Sequence, residues 1–330
     1  MTAARRAGLV LLAGLAAAAT TAGVLVPHDP GQQFADRSYA PPMRPHIVDA
    51  QGRWRRPFVY PLQLADRLEH RFEEDRTHPV PLQWLQGPTL VSADGLRGPW
   101  LPLGGDALGR DIFARVMAGA RLSLGVAIAG AAGALLLGAL VGAIAGFKGG
   151  PIDNLLMRTA DFVLVLPAIY VVVVLRAVMP LVLTTPEVFW TLTAVLAAAG
   201  WPFAARGVRA IVAAERGKEY AEAAHAMGAG SWRILLRHLM PATRGFLVVQ
   251  ATLLVPAFIL AESTLSFVGF GFAEPVPSWG VMLHDAAQAG VLSEAPWLLT
   301  PAVAIVVSVL ALHLAADAAK PAGNPARHIE

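Results

Sequence analysis

The sequence contains no cysteine and only three lysines, Lys148, Lys218 and Lys320, among its 330 residues. The first absence excludes disulfides and thiolate metal centres, and it removes redox chemistry as a guide to compartment. The second bears on nucleotides. No lysine follows a Gly-x4-Gly run or precedes Ser or Thr, so there is no P-loop to cradle phosphates, and the chain is not expected to hydrolyse ATP itself. Neither His-Glu-x-x-His nor Gly-x-Ser-x-Gly occurs, which removes two common hydrolase arrangements. Charge is scarce as well: Asp, Glu, Lys and Arg make up 15% of the chain, against about 25% in soluble domains. A formal net charge of +3 is too small to point to nucleic acid. Apolar length is what the chain has instead, with 55% hydrophobic residues and a mean hydropathy of +0.54.

A hydrocarbon core about 30 Å thick needs about 20 mostly apolar residues in a helix. Six segments meet or approach this, at roughly 7–27, 123–146, 160–180, 187–205, 246–270 and 297–317. A single segment crossing lipid satisfies its own backbone only as a helix. The third segment, with Val171-Val-Val-Val-Leu175, is β-branched enough to resemble a buried strand, but its length favours a span. Arg5-Arg6 followed by an apolar run to Val26 also fits a cleavable signal peptide, which would leave five spans. That run exceeds the usual signal core of about 7–15 residues, so a retained span is expected.

Basic residues in short loops set the orientation. With the N-terminus cytoplasmic, that side holds Arg5, Arg6, Lys148, Arg158, Arg206, Arg209, Arg216, Lys218, Arg233, Arg237, Arg244, Lys320 and Arg327, and the opposite short loops hold Arg176. Both termini and the 206–244 loop are therefore expected in the cytoplasm. The predicted organisation is a transmembrane helix over 1–27, an extracytoplasmic segment over 28–121, a transmembrane core over 122–317 and a cytoplasmic tail over 318–330. In the 28–121 segment, Leu64, Leu68 and Phe72 share one helical face, predicting a surface helix over Asp66–Arg76. Trp54, Phe58, Tyr60, Trp84 and Trp100 are expected to form a small core there. The segment reads either as a compact cap or as a receiver for a substrate-binding protein.

Between the fourth and fifth segments lies a polar, helix-forming island, from Glu219 through Glu222-Ala223-Ala224 and Gly228 to Ile234 and Pro241. Alanine favours helix. Gly228 or Gly230 suits a left-handed helix end, Ser231 suits an N-cap for a second short helix, and Pro241 would close it. The second helix sets Trp232, Leu235, Leu236 and Leu239 against Arg233 and Arg237, an amphipathic pattern. The series resembles the EAA loop of bacterial ABC-importer permeases. The run Leu103-Gly-Gly-Asp106-Ala-Leu-Gly109-Arg110-Asp111, continuing through Arg115, Gly119 and Arg121 to Ser123, is similar to a signature of the second permease type in dipeptide, oligopeptide and nickel importers. Gly105 and Ala114 replace the usual Thr and Ser. Gly149-Gly-Pro-Ile-Asp153 with Arg158 and Asp161, and Ala261-Glu262-Ser263 through Ser266, Gly269 and Gly271 to Trp279-Gly280, match the same family.

The resemblance implies an all-α membrane protein of about six transmembrane helices in an ABC type I importer bundle, with an extracytoplasmic insert between helices 1 and 2. It implies no cofactor on this chain, ATP and Mg on partner subunits, and localisation in the bacterial inner membrane. The implied partners are a sister permease, two ABC ATPase subunits, an extracytoplasmic substrate-binding protein and membrane lipid. Glu222, Ala223, Ala224, Gly228, Ile234 and Pro241 would form the ATPase-coupling element. Glu262, with Ser263 and Ser266, lies either near the translocation path or in a hydrogen-bonded helix anchor. The Gly138-x3-Gly142-x3-Gly146 stripe packs either inside the subunit or against a sister permease. Arg158 and Asp161 are spaced to pair on one helix, and prolines 167, 202, 256 and 301 fall within spans as potential kinks. Peptides are the expected cargo, with nickel or glycosides as alternatives, and no metal site is expected. A secondary transporter is the main rival; it would usually show paired interrupted spans and several intramembrane charges.

Overall fold

In the computed structural model, the described residues are 23–66, 70–84, 91–93, 99–166, 183–287 and 291–316, with scattered positions from 8 to 21 and Tyr170. Among them, four helices are long and apolar enough to cross a membrane: Ile112–Lys148, Thr185–Arg216, Ser231–Phe267 and Pro296–Ala315. The span expected over 7–27 is described only in part, and the one over 160–180 falls largely outside the described residues, as do Pro167, Arg176 and the 318–330 tail. The chain divides into two compact units.

One unit consists chiefly of Gly125–Glu262. It holds most of α1 (Ile112–Lys148), then α2 (Gly150–Val165), α3 (Thr185–Arg216), α4 (Glu219–Ala226), the short α5 (Ser231–Ile234) and most of α6 (Arg244–Phe267). The glycine stripe of α1 settles against α3. A Cβ on Gly138 would lie 2.5 Å from the Ala204 Cβ, and one on Gly146 would lie 2.6 Å from the Arg209 carbonyl oxygen. Gly142 is just as tight against the Ala205 carbonyl. Only hydrogen fits between these backbones, so the stripe serves packing inside the subunit.

Helix α3 starts with a reciprocal cap. Glu187 accepts a hydrogen bond from the Thr184 N–H at 2.7 Å, and Pro186 occupies its first turn. It runs well past the expected span, to Arg216. Its basic residues are used by α2: Arg209 Nε donates to Asp153 at 3.0 Å, and Arg206 pairs with Asp161. Asp161 therefore bonds across to α3 instead of to Arg158 on its own helix. A partner on a neighbouring helix ties two elements together, which an i,i+3 pair cannot do.

The second unit joins Val10–Leu124 to Ser263–Ser308. Here the insert adds strands to the helical bundle. Strands β1 (His46–Val48), β2 (Trp54–Val59), β5 (Val80–Trp84) and β6 (Val91–Ala93) form an antiparallel sheet in the order β1-β2-β5-β6, and β3 (Leu62–Asp66) pairs with β4 (Arg71–Glu74). The surface helix expected over 66–76 is thus a hairpin. Leu64 and Phe72, eight residues apart, meet as cross-strand partners. Phe72 packs on a core of Ala40, Met43, Val59, Leu62, Val80, Leu82 and Leu101. Phe58 and Tyr60 are buried as expected, and Trp100 is partly buried, its Nε1 donating to the Met43 carbonyl at 3.1 Å. Trp54 and Trp84 do not join the core, and Trp54 is 79% exposed at the outer end of β2.

The rest of this unit is helical, with α7 (Trp279–Ala287) and the start of α8 (Thr300–Ala316). Pro202 and Pro256 lie inside α3 and α6. Pro301 instead occupies the first turn of α8, where the missing N–H costs no helical bond.

Candidate functional site

The coupling candidates form one ordered element on the first unit. Helix α4 ends at Ala226, and Gly228 takes the left-handed conformation at φ +82°. The Ala229 N–H donates to the Ala224 carbonyl at 3.1 Å and the Gly228 N–H to the His225 carbonyl at 2.9 Å. These are the 6→1 and 5→2 bonds of a Schellman cap. Gly228 therefore fills the stop role, and Gly230 instead precedes α5 as its N-cap. Ser231 is the first helical residue rather than the cap.

The chain does not stop at Pro241. A π turn over Leu235–Leu239 and a 3-10 turn over Met240–Thr243 carry it into α6. Proline offers no N–H to the preceding turn, and the wider π turn absorbs that missing bond.

The buried side of the element is an apolar cluster of Ala143, Val208, Val212, Ala221, Ala224, Ile234, Leu235 and Leu239. Of the coupling candidates, Ala224 and Ile234 are thus core residues, Pro241 is half-buried, and Glu222, Ala223 and Gly228 are exposed. Of the four residues of the amphipathic pattern, Leu235 and Leu239 face inward. Trp232 and Leu236 do not; they stand out with Tyr220 and Met227, the last 82% exposed. The outer surface is therefore apolar at four large side chains while its base is rigidly packed.

A joint not foreseen from the sequence links α3 to α4. The Tyr220 hydroxyl donates to Glu215 at 2.7 Å, and Lys218 Nζ pairs with the same carboxylate at 2.6 Å. Sharing its proton with Glu215 pushes Tyr220 up to about 12. The bond thus persists across physiological pH.

The second group of candidates sits at the end of α6. Glu262 is fully buried, and Ser263 and Ser266 are nearly so. The Ser266 hydroxyl accepts the Phe272 N–H at 3.1 Å. A Cβ on Gly280 would lie 2.7 Å from the Ser266 Cβ, so α7 approaches this turn closely. Trp279 seals the arrangement: its Nε1 donates to the Val116 carbonyl at 3.0 Å and its N–H to Ser123 at 3.3 Å.

The Leu103–Ser123 motif folds around charge. Asp106 accepts from the Arg110 and Leu108 N–H groups at 2.9 Å and from Arg110 Nε at 2.7 Å. Arg110 and Arg115, both buried, reach Glu274, Arg115 Nη2 at 2.6 Å. Glu274 is a partner that no local pattern reveals, being about 160 residues away along the chain. Its one sequence signal was the surplus of arginines in the motif.

Comparison with known proteins follows the same lines. The family model described as "Binding-protein-dependent transport system inner membrane component" matches residues 138–326, more than half of the chain. The chain belongs to this family. The oligopeptide transport system permease protein OppC of Bacillus subtilis is 37% identical over 223 residues, covering 67% of this chain and 70% of the relative. The dipeptide transport system permease protein DppC of the same organism is 40% identical, covering 67% and 68%. OppC of Haemophilus influenzae is 37% identical, covering 67% and 69%. The permease is thus a multi-pass membrane component of a binding-protein-dependent ABC importer. The coupling candidates and α6 lie within the matched residues, and the β-rich insert lies outside them. Among the described residues, no group of three His, Cys, Asp or Glu could hold a metal ion.

Proposed function

We propose that this permease carries peptides across the bacterial inner membrane as one of two permeases in a complex with two ABC ATPases and an extracytoplasmic binding protein. The observation that carries the reading is the α4–α5 element. A short helix, stopped by a Schellman cap and packed on α1 and α3, offers Glu222, Ala223, Met227, Trp232 and Leu236 to a partner. Small and apolar exposed groups on a rigid base suit the groove of another protein better than they suit water. Closure of the ATPases on ATP would draw the two coupling elements together, and α3 and α6, joined directly to them, would open the translocation path toward the binding protein. Both termini and this element lie in the cytoplasm in this reading, in keeping with the basic residues there.

Peptide cargo is supported by the printed names of the relatives. Glu262, Ser263 and Ser266 would shape the translocation path by fixing the turn after α6, in keeping with the Ser266–Phe272 bond. The test is reconstitution with the cognate ATPases, sister permease and binding protein. ATP-dependent uptake of short peptides is expected. Uptake by the permease without ATPases would overturn the reading in favour of a secondary transporter.

A further inference from the structure

Five charged side chains meet in the second unit, away from the coupling element. Asp106 and Arg110 come from the turn before α1, Arg115 from its first turn, Glu274 from the α6–α7 connection and Asp285 from α7. Arg110 and Arg115 clasp Glu274 closely, and Arg110 also holds Asp106. Asp285 lies 3.9 Å from Arg110 and 4.0 Å from Arg115, beyond hydrogen-bond reach. Three carboxylates thus face two guanidinium groups. With every group ionised, one negative charge is uncompensated in a site whose arginines and Asp106 are almost wholly removed from water.

A single proton corrects that imbalance, and Asp285 has the weakest competing partners. We propose that Asp285 and Glu274 form a one-proton binding site, and that transport by this permease falls as the proton is lost. The proton comes from the solvent that reaches both carboxyl groups. Protonated Asp285 donates to Glu274, whose negative charge stays with the two arginines. The other groups facing Asp285 are Arg110, Arg115, Asp106 and the Tyr39 hydroxyl; His284 is turned away, against the Phe267 carbonyl at 2.7 Å. Burial, the bond to Glu274 and the repulsion between the two carboxylates raise Asp285 to about 7, so the site changes state within the ordinary range of external pH. Arg115 Nη1 is buried without a partner beside the small cavity lined by Tyr39, Asp106, Met282 and Asp285. The site thus keeps one guanidinium N–H donor unused beside that cavity. Loss of the proton sets two carboxylates against each other and removes the Asp285–Glu274 bond between α7 and the connection before it.

The inference rests on the transport reading only for its consequence; the proton site is tested on the chain alone. Infrared difference spectra of the purified permease, with aspartate labelled by 13C, should show a protonated carboxyl band that disappears as pH rises through about 7. The band should be absent in Asp285→Asn. In proteoliposomes with the full complex, wild-type uptake should decline over the same range and Asp285→Asn uptake should not. Should Asp285→Asn misfold, Asp285→Glu keeps the test intact: its titrating band should respond to 13C-labelled glutamate instead of aspartate, which separates it from the buried Asp111, whose carboxyl burial also pushes up. An aspartate spectrum without a titration near neutral pH would overturn the site. A titrating band with pH-independent uptake would overturn its role in transport while leaving the permease reading untouched.

Discussion

Replacing Gly228 with tryptophan separates the folding of the proposed coupling element from its proposed docking. Gly228 sits at φ +82°, and nothing lies within 4 Å of where a Cβ would be. A Cβ there therefore meets nothing in this chain. Its cost to folding is the left-handed backbone of an L residue, about 1–2 kcal/mol. The apolar cluster beneath, from Ala221 to Leu239, is untouched. Docking suffers differently, because an indole at the exposed cap must be accommodated by a close-packed partner. Overpacking of that kind costs about 1–3 kcal/mol, and about 3 kcal/mol is roughly a hundredfold in affinity.

Gly228→Asn provides the control, since asparagine accepts the left-handed conformation with little bulk. The assay is retention of the ATPase on the purified permease, alongside membrane abundance and uptake. Gly228→Trp should insert at near wild-type abundance yet lose most ATPase and uptake, and Gly228→Asn should keep most of both. Normal uptake by the tryptophan variant, or equal failure of both variants, would refute the reasoning.

Other consequences are independent of docking. Asp285 has a folded-state pKa raised from 3.8 to about 7, so the native state binds its proton more tightly than the unfolded chain. Stability is full below the unfolded value and declines as pH rises to about 7. The raw shift corresponds to about 4 kcal/mol. With Asp285 31% exposed, solvent screening reduces that to about 1–2 kcal/mol; thermal melts of Asp285→Asn should lose this slope and exceed wild type above neutral pH. Gly142→Leu forces a side chain against the Ala205 carbonyl and should cost about 3 kcal/mol or more, read as lost yield and a lowered melting temperature. Ser266→Ala leaves the buried Phe272 N–H without its acceptor, which should cost about 1–3 kcal/mol in melts and lower peptide uptake.

The parts legible in the sequence were those governed by local rules. Long apolar runs announced α1, α3, α6 and α8, and the alanine run followed by Gly228 announced α4 and its cap. Where pairing is non-local, sequence was a poor guide. Leu64 and Phe72 fit one helical face and equally fit opposite positions of a hairpin, and contact with Met43, Val59 and the rest of the insert core favours the hairpin. Asp161 had an acceptable partner in Arg158 three residues before it, yet Arg206 on α3 lies closer once the helices pack. Trp232, Leu235, Leu236 and Leu239 read as one amphipathic set, yet Leu235 and Leu239 are buried beside Ile234 while Trp232 and Leu236 are exposed. Glu274 and Asp285 carried no motif, and only the three-dimensional meeting with Arg110 and Arg115 reveals them.

The chain's lack of cysteine makes the decisive measurement simple. A single cysteine at the exposed Ala223 can be probed in intact cells with a reagent that does not cross membranes, and then cross-linked within the assembled complex. The account predicts no labelling until the membrane is opened, and a cross-link from that cysteine to the ATPase. Labelling from outside, or a complex that transports while no ATPase ever meets this residue, would contradict it.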